Sequence, residues 1–275
     1  MPKIQDDDFS KLEYEGWQRV ADLYNDHWAH LTRQFIEPLL NAAGVIKGMR
    51  VLDVACGTGI VSDAIVKRHA LPVGIDFAPE MVKKARQAYP HIEFLVGDAQ
   101  QLPFEDKSFD CVVMNFGMLH LPQPLLAMKE AYRVLRSKGK YAFTVWASAD
   151  KSPAAKVMTD AKEKFADMDV PMPAAPPYDY FQEKENCISF LDQAGFDTQT
   201  LLYETLQVTW LVPTAGFLFD AELNAGVRNA AFLRQQSPEV LQNIKLAFEK
   251  GVEQFKVDEG YALPFLGCII AVAKK

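Results

Sequence analysis

The chain predicts an α/β fold: a doubly wound sheet of mainly parallel strands covered by helices on both faces. Three observations carry that reading. Between Arg50 and Trp146, short apolar runs alternate with stretches whose apolar residues recur every three to four positions, the pattern of strand and helix in turn. Val51-Leu52-Asp53-Val54-Ala55-Cys56-Gly57-Thr58-Gly59 passes from a continuous apolar strand into a glycine turn and then a helix, an arrangement that brings free N–H groups close to a ligand. Asp53, Asp76 and Asp98 stand at or just beyond the ends of the first three strands, where a doubly wound sheet opens its crevice.

Each element has its own signal. Phe9 to Ala43 reads as helical, with Trp17, Val20, Ala21, Tyr24, Trp28, Leu31, Phe35, Leu39 and Leu40 near helical spacing, and Pro38 ending or kinking a helix. Arg50 to Ala55 is the first strand, and Ile60, Val61, Ala64, Ile65 and Val66 mark the helix after it. Leu71 to Phe77 is the second strand; Pro79 opens a helix whose buried face is Met81, Val82, Ala85 and Ala88. Ile92 to Val96 and Phe109 to Asn115 are the third and fourth strands, separated by the polar loop Gln100 to Ser108. After a helix marked by Leu125, Leu126, Ala131, Val134 and Leu135, Ser137-Lys138-Gly139 turns the chain into a fifth strand, Lys140 to Trp146.

The alternation then breaks. Ala147 to Phe181 combines a helical piece with Pro171, Pro173, Pro176, Pro177, Met168 and Met172, a long apolar connection of the kind that forms lids and lines apolar pockets. Glu183 to Ala194 is a helix closed by Gly195, Thr200 to Leu211 a strand, Phe217 to Lys256 a second helical insertion with turns at Ser237-Pro238 and Gly251, and Gly267 to Ala273 a last strand. The 275 residues are read as a single domain, 1–275, with a helical cap (1–43), a ligand-binding core (44–146), a lid insertion (147–182), a helix and strand (183–212), a helical insertion (213–259) and the final strand (260–275).

Composition narrows the function classes. An apolar fraction of 49% with 24% charged residues suits a globular protein. A net charge of -7 and a pI near 5.3 argue against a large polyanionic partner such as DNA or long RNA. Cys56, Cys111, Cys187 and Cys268 are far apart and form no C-x-x-C pair, so they read as small buried hydrophobes in a reducing compartment, and no metal site is expected. The N-terminal run Met1 to Asp8 is acidic and has no apolar core, and no apolar run reaches membrane-spanning length. The expectation is a cytoplasmic protein without signal peptide or membrane span.

A glycine turn alone discriminates poorly among nucleotide ligands. Here Asp76 follows about twenty residues later, the spacing of a carboxylate that accepts ribose hydroxyls, and Gly97-Asp98-Ala99 closes the third strand. Together these motifs resemble the class I S-adenosylmethionine-dependent methyltransferases, in particular the group that includes the ubiquinone and menaquinone biosynthesis methyltransferases. Val51 to Gly59 is similar to the family's first motif, D-x-G-x-G-x-G, with Ala55 in place of the first glycine. Gly74-Ile75-Asp76 resembles the second, whose acid binds ribose; Gly97-Asp98-Ala99 with Leu102-Pro103-Phe104 the third, which reads adenine; Phe109-Asp110 through Asn115-Phe116 the fourth, beside the methionine portion. Leu135 to Gly139 resembles the turn before the fifth strand. The likeness covers about Gly44 to Trp146.

The resemblance implies a Rossmann-like seven-stranded sheet with the last strand antiparallel, inserted between the fifth and sixth. It also implies S-adenosylmethionine as cofactor, contacted by Asp53, Ala55, Gly57, Gly59, Asp76, Phe77, Met81, Asp98, Ala99, Asn115 and Phe116. The turn Gly57–Gly59 would admit the methionine end, with Asp53 supporting the turn or the ligand's amino group. Tyr24, Phe77, Phe116 and Trp146 offer aromatic faces for a sulfonium. Methyl transfer is an in-line displacement that positioning accelerates, and a hydroxyl or acidic carbon as acceptor calls for one general base.

His120, leaving the fourth strand, is the first candidate for that base; the competing role is packing or capping the next helix. Tyr24 is the second candidate catalytic residue, while His27 and His30 read as surface or packing residues. The expected reaction is methylation of carbon or oxygen on a small, partly apolar metabolite. The alternatives are an NAD(P)-dependent oxidoreductase, for which Gly57-x-Gly59-x-x-Ser62 misses the fingerprint's third glycine and Tyr180-x-x-x-Lys184 imitates a dehydrogenase pair, and a non-catalytic S-adenosylmethionine-binding protein. Nucleic-acid methylation is disfavoured, because Asn115-Phe116-Gly117-Met118 lacks an N-P-P-Y-like run. Neither the acceptor nor the oligomeric state is legible.

Overall fold

The computed structural model describes residues 7–275, so Met1 to Asp6 of the acidic N-terminal run lie outside the described residues. The N-terminal segment divides into α1 (Asp8–Val20), a short α2 (Ala29–Thr32) and α3 (Ile36–Ala43). Asp7 caps α1, its Oδ1 accepting the Ser10 N–H at 2.8 Å. Pro38 marks a break in the helix, as the sequence suggests: the helical run passes through a 3-10 stretch at Arg33–Phe35 just before α3. Pro38 lies in the first turn of α3, where its missing N–H has no intrahelical partner to lose.

The core follows as β1 (Arg50–Val54), α4 (Ile60–Lys67), β2 (Leu71–Asp76), α5 (Pro79–Ala88), β3 (Glu93–Val96), β4 (Phe109–Asn115), α6 (Pro124–Val134) and β5 (Leu135–Trp146). Prolines sit at the first positions of α5 and α6, where their fixed φ favours helix initiation. The turn expected at Ser137-Lys138-Gly139 is absorbed into β5. The ladder steps from Phe109–Leu135 to Cys111–Lys140, so the extra residues bulge out of one continuous strand, with Lys138 at φ 64°.

The remaining elements are α7 (Pro153–Phe165), α8 (Lys184–Gln193), β6 (Phe196–Val212), α9 (Phe217–Ala225), α10 (Arg228–Leu233), α11 (Pro238–Val252) and β7 (Tyr261–Lys274). Gly251, expected to mark a turn, lies inside α11. A Cβ there would meet Val157 Cγ1 at 2.5 Å, so this glycine lets α11 approach α7 closely.

The seven strands form one sheet in the order β3-β2-β1-β4-β5-β7-β6. The first five are parallel neighbours, and β7 runs antiparallel between β5 and β6. Side chains alternate across it. Leu52, Val54, Val112 and Phe143 pack with α6 and α8 residues in one core, whereas Val51, Cys111, Val113 and Ala142 pack with α3 and α4 in another. β7 meets β5 only from Gly267 onward but pairs with β6 from Tyr261. The two strands therefore overrun the sheet as a ribbon, and Trp210, Val212, Leu263 and Phe265 on it pack with α7, α9 and α11 in a third core. The strand order reverses between β1 and β4, and the insertions stand over that reversal. Among the described residues no helix is long and apolar enough to cross a membrane.

Candidate active site

The turn after β1 is built on left-handed backbone at three residues: Ala55 (φ 54°), Gly57 (φ 53°) and Gly59 (φ 87°). Its two glycines do different work. A Cβ on Gly59 would meet Phe94 at 2.8 Å and Tyr89 at 3.0 Å, so Gly59 seats the start of α4 against β3 and α5. A Cβ on Gly57 would meet nothing within 4 Å; it would project into open space. Ala55, which stands where the motif usually has glycine, has its Cβ opposite Gly117, where a second Cβ would approach to 2.7 Å. The missing glycine of the turn is offset by a glycine across from it.

That open space belongs to a cavity of about 480 Å³ at the carboxyl ends of the strands, a size typical of small-molecule sites. Ala55, Gly57, Asp76, Phe77, Met81, Asp98, Ala99, Asn115 and Phe116 line it, as do Tyr24 and His120. Two residues of the expected set do not. Gly59 is turned into the packing just described, and Asp53 lies beneath the turn at 1% exposure, its Oδ2 accepting from Ser62 Oγ at 2.6 Å. The physical reason is the strand alternation: Asp53 shares its face with Val51 and meets α4, so its contribution is to hold the turn from below.

Asp76 spans the two sides of the crevice. Its Oδ2 accepts the Gly57 N–H and its Oδ1 the Ala78 N–H, both at 2.9 Å. Burial pushes its carboxyl up to about 6, against these two N–H groups, which favour the charged form. Each oxygen keeps a further lone pair for a ligand hydroxyl. Burial pushes Asp53 up further, to about 7, despite Ser62 and with Asp76 nearby, and its Oδ1 has no protein partner. Asp98 is held by its own loop: Oδ1 accepts the Gln100 N–H at 2.8 Å.

On the far wall, Phe116 (φ 55°) stacks on Trp146 with ring centres 3.8 Å apart, and Phe35 abuts both edgewise. A chain of hydrogen bonds fixes this slab. The Phe116 N–H donates to Thr144 Oγ1 (2.9 Å), Thr144 donates to Asn115 Oδ1 (2.7 Å), and Asn115 Nδ2 donates to the Thr32 carbonyl (3.2 Å). The Tyr24 hydroxyl lies 3.2 Å from Thr32 Oγ1. A strained residue pinned by this many partners at a cavity wall is characteristic of a functional site.

The structure gives His120 a partner that the motifs do not announce. Glu13 of α1, 1% exposed, lies with Oε2 at 2.9 Å from His120 Nδ1 and accepts from Trp17 Nε1 at 3.1 Å. Its Oε1 accepts from Arg228 Nε at 2.8 Å. Burial alone would raise the Glu13 carboxyl; His120 and Arg228 overcome it and hold the group below its usual value. An ionised carboxylate only accepts, so Nδ1 carries the hydrogen and Nε2 is the nitrogen that can take a proton. Arg228 in turn donates to the Pro176 carbonyl at 2.8 Å and lies over the rings of Tyr178 and Phe9. The trace of this in the sequence is spacing alone: Glu13 falls at helical intervals with Phe9, Gly16 and Val20, the face that α1 buries.

Other expectations resolve plainly. Of the Pro- and Met-rich stretch after α7, Tyr178 and Asp179 line the cavity, while Met168 is exposed and Met172 and the prolines are not part of the lining; Met158 of α7 is. The prolines leave that segment irregular, and it follows the surface. His27 stacks on Phe217 and His30 is exposed. Tyr180 packs on Phe181 and Phe190, outside the cavity, and Lys184 is exposed, so they form no dehydrogenase pair. The four cysteines are buried free thiols.

Comparison with known proteins agrees with the motif reading. Residues 52–143 match the model of a methyltransferase domain. A demethylmenaquinone methyltransferase of Renibacterium salmoninarum is 36% identical over 129 residues, covering 47% of this chain and 54% of that protein; the chain spans about half the length of such relatives. A solved structure described as a methyltransferase of Bacillus halodurans superposes with a TM-score of 0.57 at 22% identity, over 88% of this chain and 99% of the other. Phosphoethanolamine N-methyltransferase 2 of Haemonchus contortus, solved with S-adenosylhomocysteine, gives a TM-score of 0.52 at 18% identity, over 88% and 52%. The structural matches establish the shared fold, and residues 52–143 within it are similar to a methyltransferase domain.

Proposed function

We propose that this chain is a methyltransferase that uses S-adenosylmethionine and methylates carbon or oxygen of a small, partly apolar acceptor. The observation that carries the reading is the convergence, on one cavity, of Gly57, Asp76, Asp98 and Phe116 from four different strand ends, within a stretch that matches a methyltransferase domain. The cofactor supplies a methyl group already activated on a cationic sulfur. The residues present suit it: Gly57 leaves room for the ligand, Asp76 offers acceptors to ribose hydroxyls, Asp98 lies where adenine is read, and the Phe116–Trp146 slab presents aromatic faces to positive charge.

The protein's own part is positioning and proton removal. The slab and insertion helices exclude water and hold the acceptor, which can supply most of the acceleration. His120 Nε2 takes the acceptor's proton while Glu13 fixes the tautomer and balances the charge that develops. A cytoplasmic setting fits the free thiols, and the acidic net charge speaks for a small-molecule acceptor over a nucleic acid.

The test is release of S-adenosylhomocysteine when the protein is supplied with S-adenosylmethionine and fractionated metabolite extract. Turnover in no fraction, together with tight NAD binding and no S-adenosylmethionine binding, would overturn the reading. His120→Asn should lower kcat by about 100-fold or more, with Glu13→Gln intermediate and cofactor affinity nearly unchanged. An undiminished rate removes His120 from the chemistry.

A further inference from the structure

The cavity has a second polar pole, on the insertions. Lys162 of α7, Glu222 of α9 and Asn229 of α10 all line it. Lys162 Nζ donates to Asn229 Oδ1 at 3.2 Å, and Asn229 Nδ2 donates to Glu222 Oε2 at 2.8 Å. The amide thus bridges an ammonium and a carboxylate that do not touch, with both of its ends engaged. Met158, Leu218 and Ala225 complete this part of the wall with apolar surface. Burial lowers the Lys162 ammonium and raises the Glu222 carboxyl from their ordinary values, each countered by the other. The place of this amide-bridged pair of opposite charges on a cavity wall marks it as a recognition element.

The capacity left over defines the ligand. An ammonium has three donors, of which Asn229 takes one; a carboxylate has two oxygens, of which Asn229 occupies one. Donors and acceptors therefore remain side by side. An anion bound here faces the Glu222 carboxylate, and a cation faces the Lys162 ammonium. A hydroxyl accepts from Lys162 and donates to Glu222 without opposing either charge.

We propose that Lys162, Asn229 and Glu222 form the head-group clamp of the acceptor subsite, and that the acceptor is an uncharged apolar compound carrying a hydroxyl. The proposal rests on the methyl-transfer reading of the same cavity. It makes the two insertions, outside every cofactor motif, the determinants of acceptor choice.

The test uses three probes with one body: 4-ethylbenzyl alcohol, 4-ethylbenzoate and 4-ethylbenzylamine, titrated by calorimetry into the full chain saturated with S-adenosylhomocysteine. The alcohol should bind at least about tenfold more tightly than either charged probe. Glu222→Gln should weaken the alcohol about tenfold and narrow the gap to the carboxylate. Lys162→Met should weaken the alcohol similarly and narrow the gap to the amine. This crosswise change of selectivity is one that a merely structural role would not produce, and the nearly isosteric Glu222→Gln carries the test if Lys162→Met does not fold. Preference of the wild type for a charged probe, no binding of any probe, or the same ratios in a folded variant would overturn the clamp. Failure to bind S-adenosylhomocysteine would instead sink the methyltransferase reading; the probe order on the unliganded protein still judges the clamp.

Discussion

Burial holds Asp53 up to about 7 and Asp76 up to about 6, and the consequence for stability has a definite sign. Below about pH 4 the Asp53 carboxyl is protonated in folded and unfolded chains alike. Between pH 4 and 7 the unfolded chain releases the proton and the folded one retains it, so stability falls as pH rises; above pH 7 the penalty is constant. Asp53→Asn should therefore be more favourable at pH 8 than at pH 4, by on the order of 4 kcal/mol. Thermal melts at the two pH values measure that difference, and a pH-independent effect would show that the carboxyl is not buried as described. With Asp76 holding the ribose as proposed, its loss falls on the ligand. Asp76→Asn keeps one acceptor for the backbone N–H groups and removes the other, and S-adenosylhomocysteine affinity should drop at least about tenfold by calorimetry. An unchanged Kd would remove Asp76 from the site.

At the scale of elements, the turn after β1 and the segment after β4 form one unit. Ala55 sits at φ 54° and its Cβ faces Gly117. Ala55→Gly relieves a left-handed alanine and should add about 0.5–1 kcal/mol to stability. Gly117→Ala should cost about 1–3 kcal/mol, since its Cβ would fall 2.7 Å from that of Ala55 and 2.8 Å from Met114 Cγ. The double variant should recover more than the sum of the two, because the residues share one contact; denaturant melts on the four proteins provide the cycle, and strict additivity would refute the pairing. Little of this was legible beforehand. The glycine turn and its register were, because backbone conformation writes itself into local sequence. The partnership of Ala55 with Gly117 joins residues far apart in the chain, and nothing in the spacing of either announces it.

For the molecule as a whole, one guanidinium ties three regions together. Arg228 of α10 holds Glu13 of α1 and the Pro176 carbonyl of the proline-rich segment. Arg228→Met should destabilise the protein by about 3–5 kcal/mol, since it takes from a buried carboxylate one of the two charged groups that hold it. Hydrogen exchange should quicken selectively in 9–20 and 176–180. Adding Glu13→Gln should restore part of the lost stability. Exchange that quickens uniformly, or not at all, would show that the cap and insertions do not close through this residue. The same network explains why His120 was identified without its partner: Glu13 is 107 residues away in sequence, and only the closure of α1 over the strand ends brings them together.

Sequence alone determined the β/α alternation, the glycine turn, the acids at the strand ends and, through them, the family likeness. Such features are local: strand alternation, helical period and left-handed turns are set by neighbours within a few residues. Tertiary structure decided that Asp53 supports the turn from below and that Gly57 and Gly59 serve different ends. It also decided that Glu13 aims His120, and that Lys162, Asn229 and Glu222 meet on the cavity wall. Those facts depend on how separate elements pack across the sheet, where contact is a matter of distance in space and leaves no periodic trace along the chain.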